Sequence, residues 1–223
     1  MTKCGETTNR AWYDKFYSTG GWNYTADVEV KRLKTQLFDH IDLALGSTVL
    51  DVGCGLGAHT EAIRRLGYKP TGVDFSGVAI EEASKQYPDT PFFKCDVEHL
   101  NYPNNHFDMV FIRGLSWYHY ELDDTCLARS KYLMNMVRPG GYMALIIQTD
   151  FSGETNPDSG VLFNKLSAYT RLFSKLGKIV LCTDWDGNVL TTNKAAVGKN
   201  NIVIVVQKKK KATSRLLGDD NSR

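Results

Sequence analysis

The residues best able to do chemistry stand in one short run, Val49-Leu50-Asp51-Val52-Gly53-Cys54-Gly55-Leu56-Gly57-Ala58-His59-Thr60. An apolar stretch passes into glycines at alternate positions and then into a helix starting near Ala58. Such glycines let a chain turn tightly and let a ligand approach its backbone. Asp74 lies 21 residues after Gly53 and closes a second apolar run, Gly72-Val73-Asp74. A carboxylate there can accept both hydroxyl hydrogens of a ribose; capping a helix is its alternative role. The loop reads G-x-G-x-G, where a dinucleotide site reads G-x-G-x-x-G. Asp51, two residues before the first glycine, would repel a pyrophosphate and attract a cation. It could equally be a structural carboxylate bound to local amides.

Seven short apolar or β-branched runs are predicted strands: residues 47–52, 69–73, 91–94, 107–112, 141–148, 178–184 and 201–207. Helical spacing lies between most of them. Residues 27–45 place Val30, Leu33, Leu37, Phe38 and Ile41 on one face. A helix capped by Ser76 carries Val78, Ile80, Ala83 and Tyr87. Another begins at Asp123 and Asp124 and carries Leu127, Leu133, Met136 and Val137. Leu162, Leu166, Tyr169, Phe173 and Leu176 mark a fourth helical face. Strands alternating with helices imply a parallel sheet covered on both sides. Residues 185–200 hold no long helix, so the last strand is expected to return antiparallel at a sheet edge. The expected fold is α/β, a doubly wound, seven-stranded, mostly parallel sheet with the last strand antiparallel. Its ligand crevice should lie at the carboxyl ends of the early strands.

The chain has 223 residues and a mass of 25.0 kDa, with 42% hydrophobic and 23% charged residues. That suits one globular domain, expected over residues 1–207. No apolar run approaches the roughly 20 residues of a spanning helix, so no membrane is expected as a partner. The opening residues carry no secretory leader pattern. Cys4, Cys54, Cys95, Cys126 and Cys182 are scattered and include no Cys-x-x-Cys pair. A zinc site or disulfide framework is disfavoured, no metal is expected, and a reducing cytoplasmic setting fits. The net charge of +2 conceals +4 on residues 208–223 and −2 on the first 207. Only the tail is basic, and it is expected to be disordered and dispensable. Nucleic acid is therefore disfavoured as a partner.

S-adenosylmethionine carries an ammonium and a sulfonium and no phosphate, which suits Asp51 beside the loop. The chain also resembles class I S-adenosylmethionine-dependent methyltransferases over roughly residues 12–207. Asp51-Val52-Gly53-Cys54-Gly55-Leu56-Gly57 resembles their first motif and Gly72-Val73-Asp74-Phe75-Ser76 their second. Lys94-Cys95-Asp96-Val97 resembles their adenine-holding segment. Phe107-Asp108-Met109-Val110-Phe111 resembles their fourth strand, and Arg138-Pro139-Gly140-Gly141-Tyr142 the turn into the fifth. The resemblance implies the Rossmann-like methyltransferase fold and S-adenosylmethionine as cofactor. It implies that Gly53, Cys54, Gly55 and Gly57 pass under the methionine part and that Asp74 holds the ribose. Phe75 and Val97 would sandwich the adenine, unless they merely pack in the core, and Asp96 would accept from its amine. Residues 1–26, rich in aromatics from Trp12 to Tyr24, would strap over the cofactor, with Tyr17 touching its carboxylate.

Past the fourth strand come Ile112-Arg113-Gly114-Leu115-Ser116-Trp117-Tyr118-His119-Tyr120. Trp117, Tyr118 and Tyr120 are candidate walls of an acceptor pocket, with packing under the next helix as the alternative. His119 is the candidate base, since an imidazole of ordinary pKa near 6.5 takes protons near neutrality. Arg113 is assigned to substrate or cofactor: its planar fork matches a carboxylate or phosphate. An ion pair with Asp51 or Asp108 is the structural alternative. The function read from all this is methyl transfer to a small-molecule acceptor through oxygen, nitrogen or sulfur. An RNA or protein methyltransferase using the basic tail, and a non-catalytic cofactor-binding module, are the alternatives.

Overall fold

The computed structural model describes residues 10–191 and 200–210. Residues 1–9 with Cys4, residues 192–199 and residues 211–223 of the expected tail lie outside the described residues. Seven strands form one sheet in the order β3-β2-β1-β4-β5-β7-β6. They are β1 (Thr48–Val52), β2 (Lys69–Asp74), β3 (Phe92–Lys94), β4 (Phe107–Arg113), β5 (Val137–Thr149), β6 (Lys178–Asp184) and β7 (Asn200–Gln207). The first five pair in parallel, and β7 runs antiparallel to both β5 and β6. The seven strands and the reversed last strand are as expected, but β7 lies between β5 and β6, so the sheet edge expected for it is held by β6. The order changes direction between β1 and β4, so a crevice opens where their carboxyl ends diverge.

Alternation along the strands builds two cores. Leu50, Val52, Val110 and Ile112 face one side, under α5 (Asp124–Met136) and α6 (Leu166–Ser174). Val49, Met109 and Phe111 face the other, under α2 (Ala26–Gln36) and α3 (Ala58–Arg65). A one-residue slip would exchange these faces, so the apolar pattern fixes the register. Ser76 caps α4 (Gly77–Gln86) by accepting the Ala79 N–H at 3.1 Å, and Asp123 caps α5 by accepting that of Cys126 at 2.9 Å.

Three elements differ from expectation. The helix expected over 27–45 ends at Gln36, because Leu37 leaves the helical region at φ −132° and the chain turns through Phe38–His40. That turn lays Phe38 on the Tyr68 ring, centroids 4.5 Å apart, an apolar contact that a straight helix would forgo. The helix expected from Leu162 begins at Leu166, since Leu162 pairs with Thr155 as an antiparallel bridge. Residues Arg10–Ser18 form a helix, α1, where the sequence showed only an aromatic strap.

The last strand ends at Gln207, and one further residue continues its pairing. Lys208 extends the pairing of β7: its N–H donates to Gly141 O at 2.9 Å, and its carbonyl accepts from Gly140 N at 3.0 Å. Lys208 Nζ lies within 3.2 Å of the carbonyl oxygens of Met134, Asn135 and Val137, at the end of α5. A cation there meets the unpaired carbonyls of the last helical turn. Among the described residues no helix is long and apolar enough to cross a membrane.

Candidate active site

A cleft of about 430 Å³, counted with its open mouth, lies at the carboxyl ends of β1, β2 and β4. Gly53, Val73, Asp74 and Phe75 form its floor, Cys95 and Val97 one wall, and Gly114, Leu115 and Ser116 the other. Tyr13 and Tyr17 of α1 close it from above. Among the described residues Asp74 is the one charged residue that lines it.

Asp74 is buried at the end of β2. Its Oδ2 accepts the Gly55 N–H at 3.0 Å and its Oδ1 the Ser76 N–H at 2.9 Å. Burial pushes its pKa up, while these amides pull the other way. Each carboxylate oxygen can accept more than one bond, so the group can take further donors from a ligand in the cleft.

The glycine loop lies bare under α1. Gly55 has φ +51°, and a Cβ there would stand 3.0 Å from Tyr17 Oη. The absent side chain is what allows the strap this close. At Gly57, φ +79°, a Cβ would stand 2.5 Å from Phe92 Cζ. Gly57 thus serves the packing of α3 on β3, and it does not line the cleft. The strap is anchored by Ser76 Oγ donating to Asp14 and by the edge of Tyr13 on Phe75, centroids 5.4 Å apart. Burial raises the pKa of both Tyr13 and Tyr17, so both hydroxyls stay protonated donors.

Several residues selected from sequence lie elsewhere. Asp51 faces α3, 1% exposed, accepting Thr60 Oγ1 at 2.6 Å. Burial pushes it up to about 7. It takes the structural role, bound to a hydroxyl. Cys54 is buried against Ala83 and Phe92, away from the cleft wall. Asp96 accepts the Glu98 N–H at 3.1 Å and lies 3.9 Å from Arg10, capping the turn Val97–His99. Phe75 and Val97 do line the cleft.

The loop after β4 corrects the proposed acceptor walls. Residues Ser116–His119 form a 3-10 turn, which rotates Trp117 and Tyr118 inward. Tyr118 is wholly buried, its hydroxyl 2.9 Å from Ser130 Oγ, and its carbonyl accepts the Tyr169 hydroxyl. Trp117 is 6% exposed, with the Arg129 guanidinium over its ring. Neither can touch an acceptor without unpacking the core. Tyr120 is half-buried, near enough to Tyr13 to raise its pKa. His119 Nε2 is buried without a hydrogen-bond partner, and burial, then Arg113, pushes its pKa down to about 4. His119 is therefore neutral at pH 7 and a weaker base than its type suggests.

Arg113 ends β4 with its guanidinium between the rings of Tyr24 and Trp185, 5.5 and 5.6 Å from their centroids. Nη2 donates to Tyr24 Oη at 3.2 Å, and Nε is buried without a partner. The expected structural pairs are absent: Asp51 binds Thr60, and Asp108 binds Arg138 at 2.7 Å and Thr48.

Tyr13, Val73, Cys95, Gly114, Leu115 and Ser116 line the cleft and were not selected from sequence. Tyr13 and Tyr17 stand four apart, one face of a helix, a signal that was available. Leu115 and Ser116 carry no chemical signature; only the backbone turn places them there. Among the described residues no group of three or more His, Cys, Asp or Glu could hold a metal.

The cleft's charge, its bare loop and its aromatic roof suit an adenosyl cofactor without phosphate. The comparisons agree. Residues 49–141 match the family model described as a methyltransferase domain. An S-adenosyl-L-methionine-dependent Diels-Alderase of Talaromyces variabilis is 24% identical over 140 residues, covering 59% of this chain and 47% of that protein. A 2-methyl-6-phytyl-1,4-hydroquinone methyltransferase of Synechocystis is 30% identical over 104 residues, covering 45% and 31%. The chain thus spans less than half the length of these curated relatives. The solved structure of a SAM-dependent methyltransferase from Methanosarcina mazei superposes with a TM-score of 0.61 at 17% identity, over 78% of this chain and 97% of that one. The matched segment holds the glycine loop, Asp74 and the wall after β4, and together with the relatives and the reversed seventh strand it supports the class I S-adenosylmethionine-dependent methyltransferase superfamily for this chain.

Proposed function

We propose that the chain transfers a methyl group from S-adenosylmethionine to a small-molecule acceptor by in-line displacement. One observation carries the reading: among the described residues the only charged one lining the cleft is a carboxylate, Asp74, at the end of β2. A pyrophosphate would meet no cation there and one anion. An adenosyl ligand with cationic groups meets a ribose acceptor and a favourable field.

S-adenosylmethionine, when bound, supplies an electrophilic methyl carbon on a sulfonium. On this reading Asp74 accepts from the ribose hydroxyls, Phe75 and Val97 flank the adenine, and the loop around Gly53 and Gly55 underlies the methionine part. Tyr13 and Tyr17 exclude water from above. His119, neutral with a pKa near 4, removes protons poorly from an alcohol. The reading therefore favours an acceptor that enters ionised or soft, for which positioning supplies much of the rate. The negative charge of the first 207 residues disfavours a polynucleotide. The five cysteines are scattered along the chain with no Cys-x-x-Cys pair, which suits a cytoplasmic protein.

Calorimetry with S-adenosylmethionine, S-adenosylhomocysteine and NAD tests the cofactor. Binding of the first two and not the third is expected; NAD binding alone would overturn the reading. An acceptor screen read by S-adenosylhomocysteine formation tests the transfer. A second reading, cofactor binding without methyl transfer, draws on the relative named a Diels-Alderase. Tight binding with no turnover across a broad panel would favour it.

A further inference from the structure

Among the described residues no carboxylate lies within ion-pair distance of Arg113, and Glu29 acts on its charge only from farther off. The neighbours of Arg113 on the α2 and α3 side of the sheet form a polar stack, buried at Glu29 and His59 and half-buried at Tyr24 and Trp185. Trp185 and Tyr24 face the guanidinium, and the His59 ring stands edge-on to Tyr24, centroids 4.7 Å apart. His59 Nε2 lies 3.3 Å from Glu29 Oε2, yet off line, so neither atom has a hydrogen-bond partner. Glu29 accepts from Arg32 at 2.9 Å. Burial and the nearby Arg113 charge depress the His59 pKa, so that ring is neutral. His119, also neutral, stands near enough for Arg113 to depress its pKa.

The charges can be counted. Glu29 pairs with the partly exposed Arg32, His59 and His119 contribute no charge, and Arg113 is left with one positive charge that Glu29 offsets only from a distance. Among the described residues no carboxylate forms an ion pair with it. Arg113 is half-buried with its Nε wholly covered, and a charge so far removed from water is ordinarily paired. Arginine cannot escape by losing its proton. Two orphaned polar atoms, Arg113 Nε and His119 Nε2, lie in this same region. Gly114, the next residue after Arg113, lines the cofactor cleft, so the unpaired charge sits beside the place where an acceptor must approach.

We infer that Arg113, clamped between Tyr24 and Trp185 at the carboxyl end of β4, is the seat of a carboxylate carried by the methyl acceptor. The inference rests on the methyltransferase reading for the word acceptor, and on this chain's own geometry for the seat. A planar guanidinium matches a carboxylate in two parallel bonds. The two aromatic faces hold the fork flat, and Gln36 fixes Trp185 by donating to its carbonyl. The single excess charge selects a monoanion. A phosphate ester near −2 would leave one negative charge buried and unbalanced, whereas a carboxylate leaves none.

The test uses the full chain with formate and acetate, small enough to enter a seat of unknown acceptor shape. Melting temperature is followed against chloride at equal ionic strength, with acetamide as the uncharged control. At ten times its dissociation constant a carboxylate should raise the wild-type melting temperature by roughly 3 °C or more. Acetamide should do nothing, and Arg113→Met should abolish the response. Arg113→Lys keeps charge without the fork, so acetate affinity should fall about tenfold. The Arg113 Nε–Hε resonance, identified by its loss in Arg113→Lys, should move on titration with acetate in the wild type. That readout stands even where Arg113→Met folds poorly.

An acetate response equal in wild type and Arg113→Met, or an Nε–Hε resonance that acetate leaves unmoved, would overturn the seat. So would inorganic phosphate binding as tightly as acetate. Loss of the acetate response under saturating S-adenosylhomocysteine would assign Arg113 to the cofactor's own carboxylate and overturn the acceptor role. Calorimetry with S-adenosylhomocysteine is scored separately. Failure there with an intact acetate response removes the methyltransferase reading and leaves the anion seat standing.

Discussion

Asp74 Oδ2 and the Gly55 N–H are joined by a 3.0 Å hydrogen bond that ties the end of β2 to the glycine loop after β1. The same carboxylate ties down the start of α4 through the Ser76 N–H at 2.9 Å. One side chain therefore shapes the floor of the cleft and offers it a ligand acceptor. Asp74→Ala removes both functions. Affinity for S-adenosylhomocysteine should fall by about 1.5–3 kcal/mol, the scale of hydrogen bonds to a charged group. Two buried amides lose their partner, so the urea midpoint should fall as well. Calorimetry together with urea unfolding separates the two effects. An unchanged affinity in a destabilised protein would make Asp74 a loop fastener and move the ribose contact elsewhere.

Asp51 makes the protein's stability depend on pH in an identifiable direction. Burial lifts its pKa from 3.8 to about 7 in the folded state, against the pull of its bond from Thr60; the charge of Asp74 adds to the rise. The folded protein therefore holds this proton more tightly than the unfolded chain does. The stabilisation is fully present below about pH 4 and is lost as pH rises through about 7. Asp51→Asn keeps an acceptor for Thr60 and cannot ionise. Urea unfolding should give nearly equal stabilities for the two proteins at pH 4. At pH 8.5 the variant should be more stable by roughly 2–4 kcal/mol. Other titrating groups, such as Glu61 held down near 2 by its arginines and Thr90 against the opposing effect of burial, are common to both proteins and cancel. A difference that does not change with pH would show that Asp51 does not titrate in this window.

The sheet was legible in the sequence because its signal is redundant. Each strand repeats the same alternation, and three early strands run straight into glycine or acidic turns. The reversal of the last strand was legible from the lack of a long helical pattern in the sequence of residues 185–200, whereas its place between β5 and β6 was not. The site was legible only where chemistry and backbone coincide, as at Gly53, Asp74 and Phe75. Trp117 and Tyr118 mislead because the turn Ser116–His119 has the same composition whether its aromatics point to the cleft or to the core. Only packing against Ser130, Tyr169 and Phe173 decides. Asp51 misleads for a related reason. An acidic residue beside a glycine loop reads as a ligand contact, but its position in β1 turns it toward α3, where Thr60 waits one helical turn in. Leu115 and Ser116, which do line the cleft, are chemically ordinary, and nothing in their types marks them.

Lys208 separates the folded domain from its basic tail more sharply than composition does. Four lysines in a row read as one solvated run, yet the first of them is inserted among the carbonyls of Met134, Asn135 and Val137, with Asn105 Oδ1 3.0 Å away. Its backbone continues the pairing of β7 with β5 at Gly140 and Gly141. Its ammonium therefore satisfies the end of α5 and pins the last strand, while the alkyl part of Lys210 stands beside Gly140, 3.3 Å from where a Cβ would lie. Lys208→Met keeps the stem and removes the donors. It should cost about 1–3 kcal/mol, the range for charged hydrogen bonds. For a domain of this size that is a drop of roughly 2–12 °C in melting temperature. Truncation after Lys210 should leave the melting temperature and S-adenosylhomocysteine affinity unchanged, because residues 211–223 have no apolar periodicity to dock. Truncation after Gln207 should cost at least as much as Lys208→Met, since the backbone pairing goes too. If Lys208→Met melts with the wild type, the ammonium contacts are no more than surface decoration. If truncation after Lys210 is the costly change, the dispensable tail begins later than the strand pairing implies.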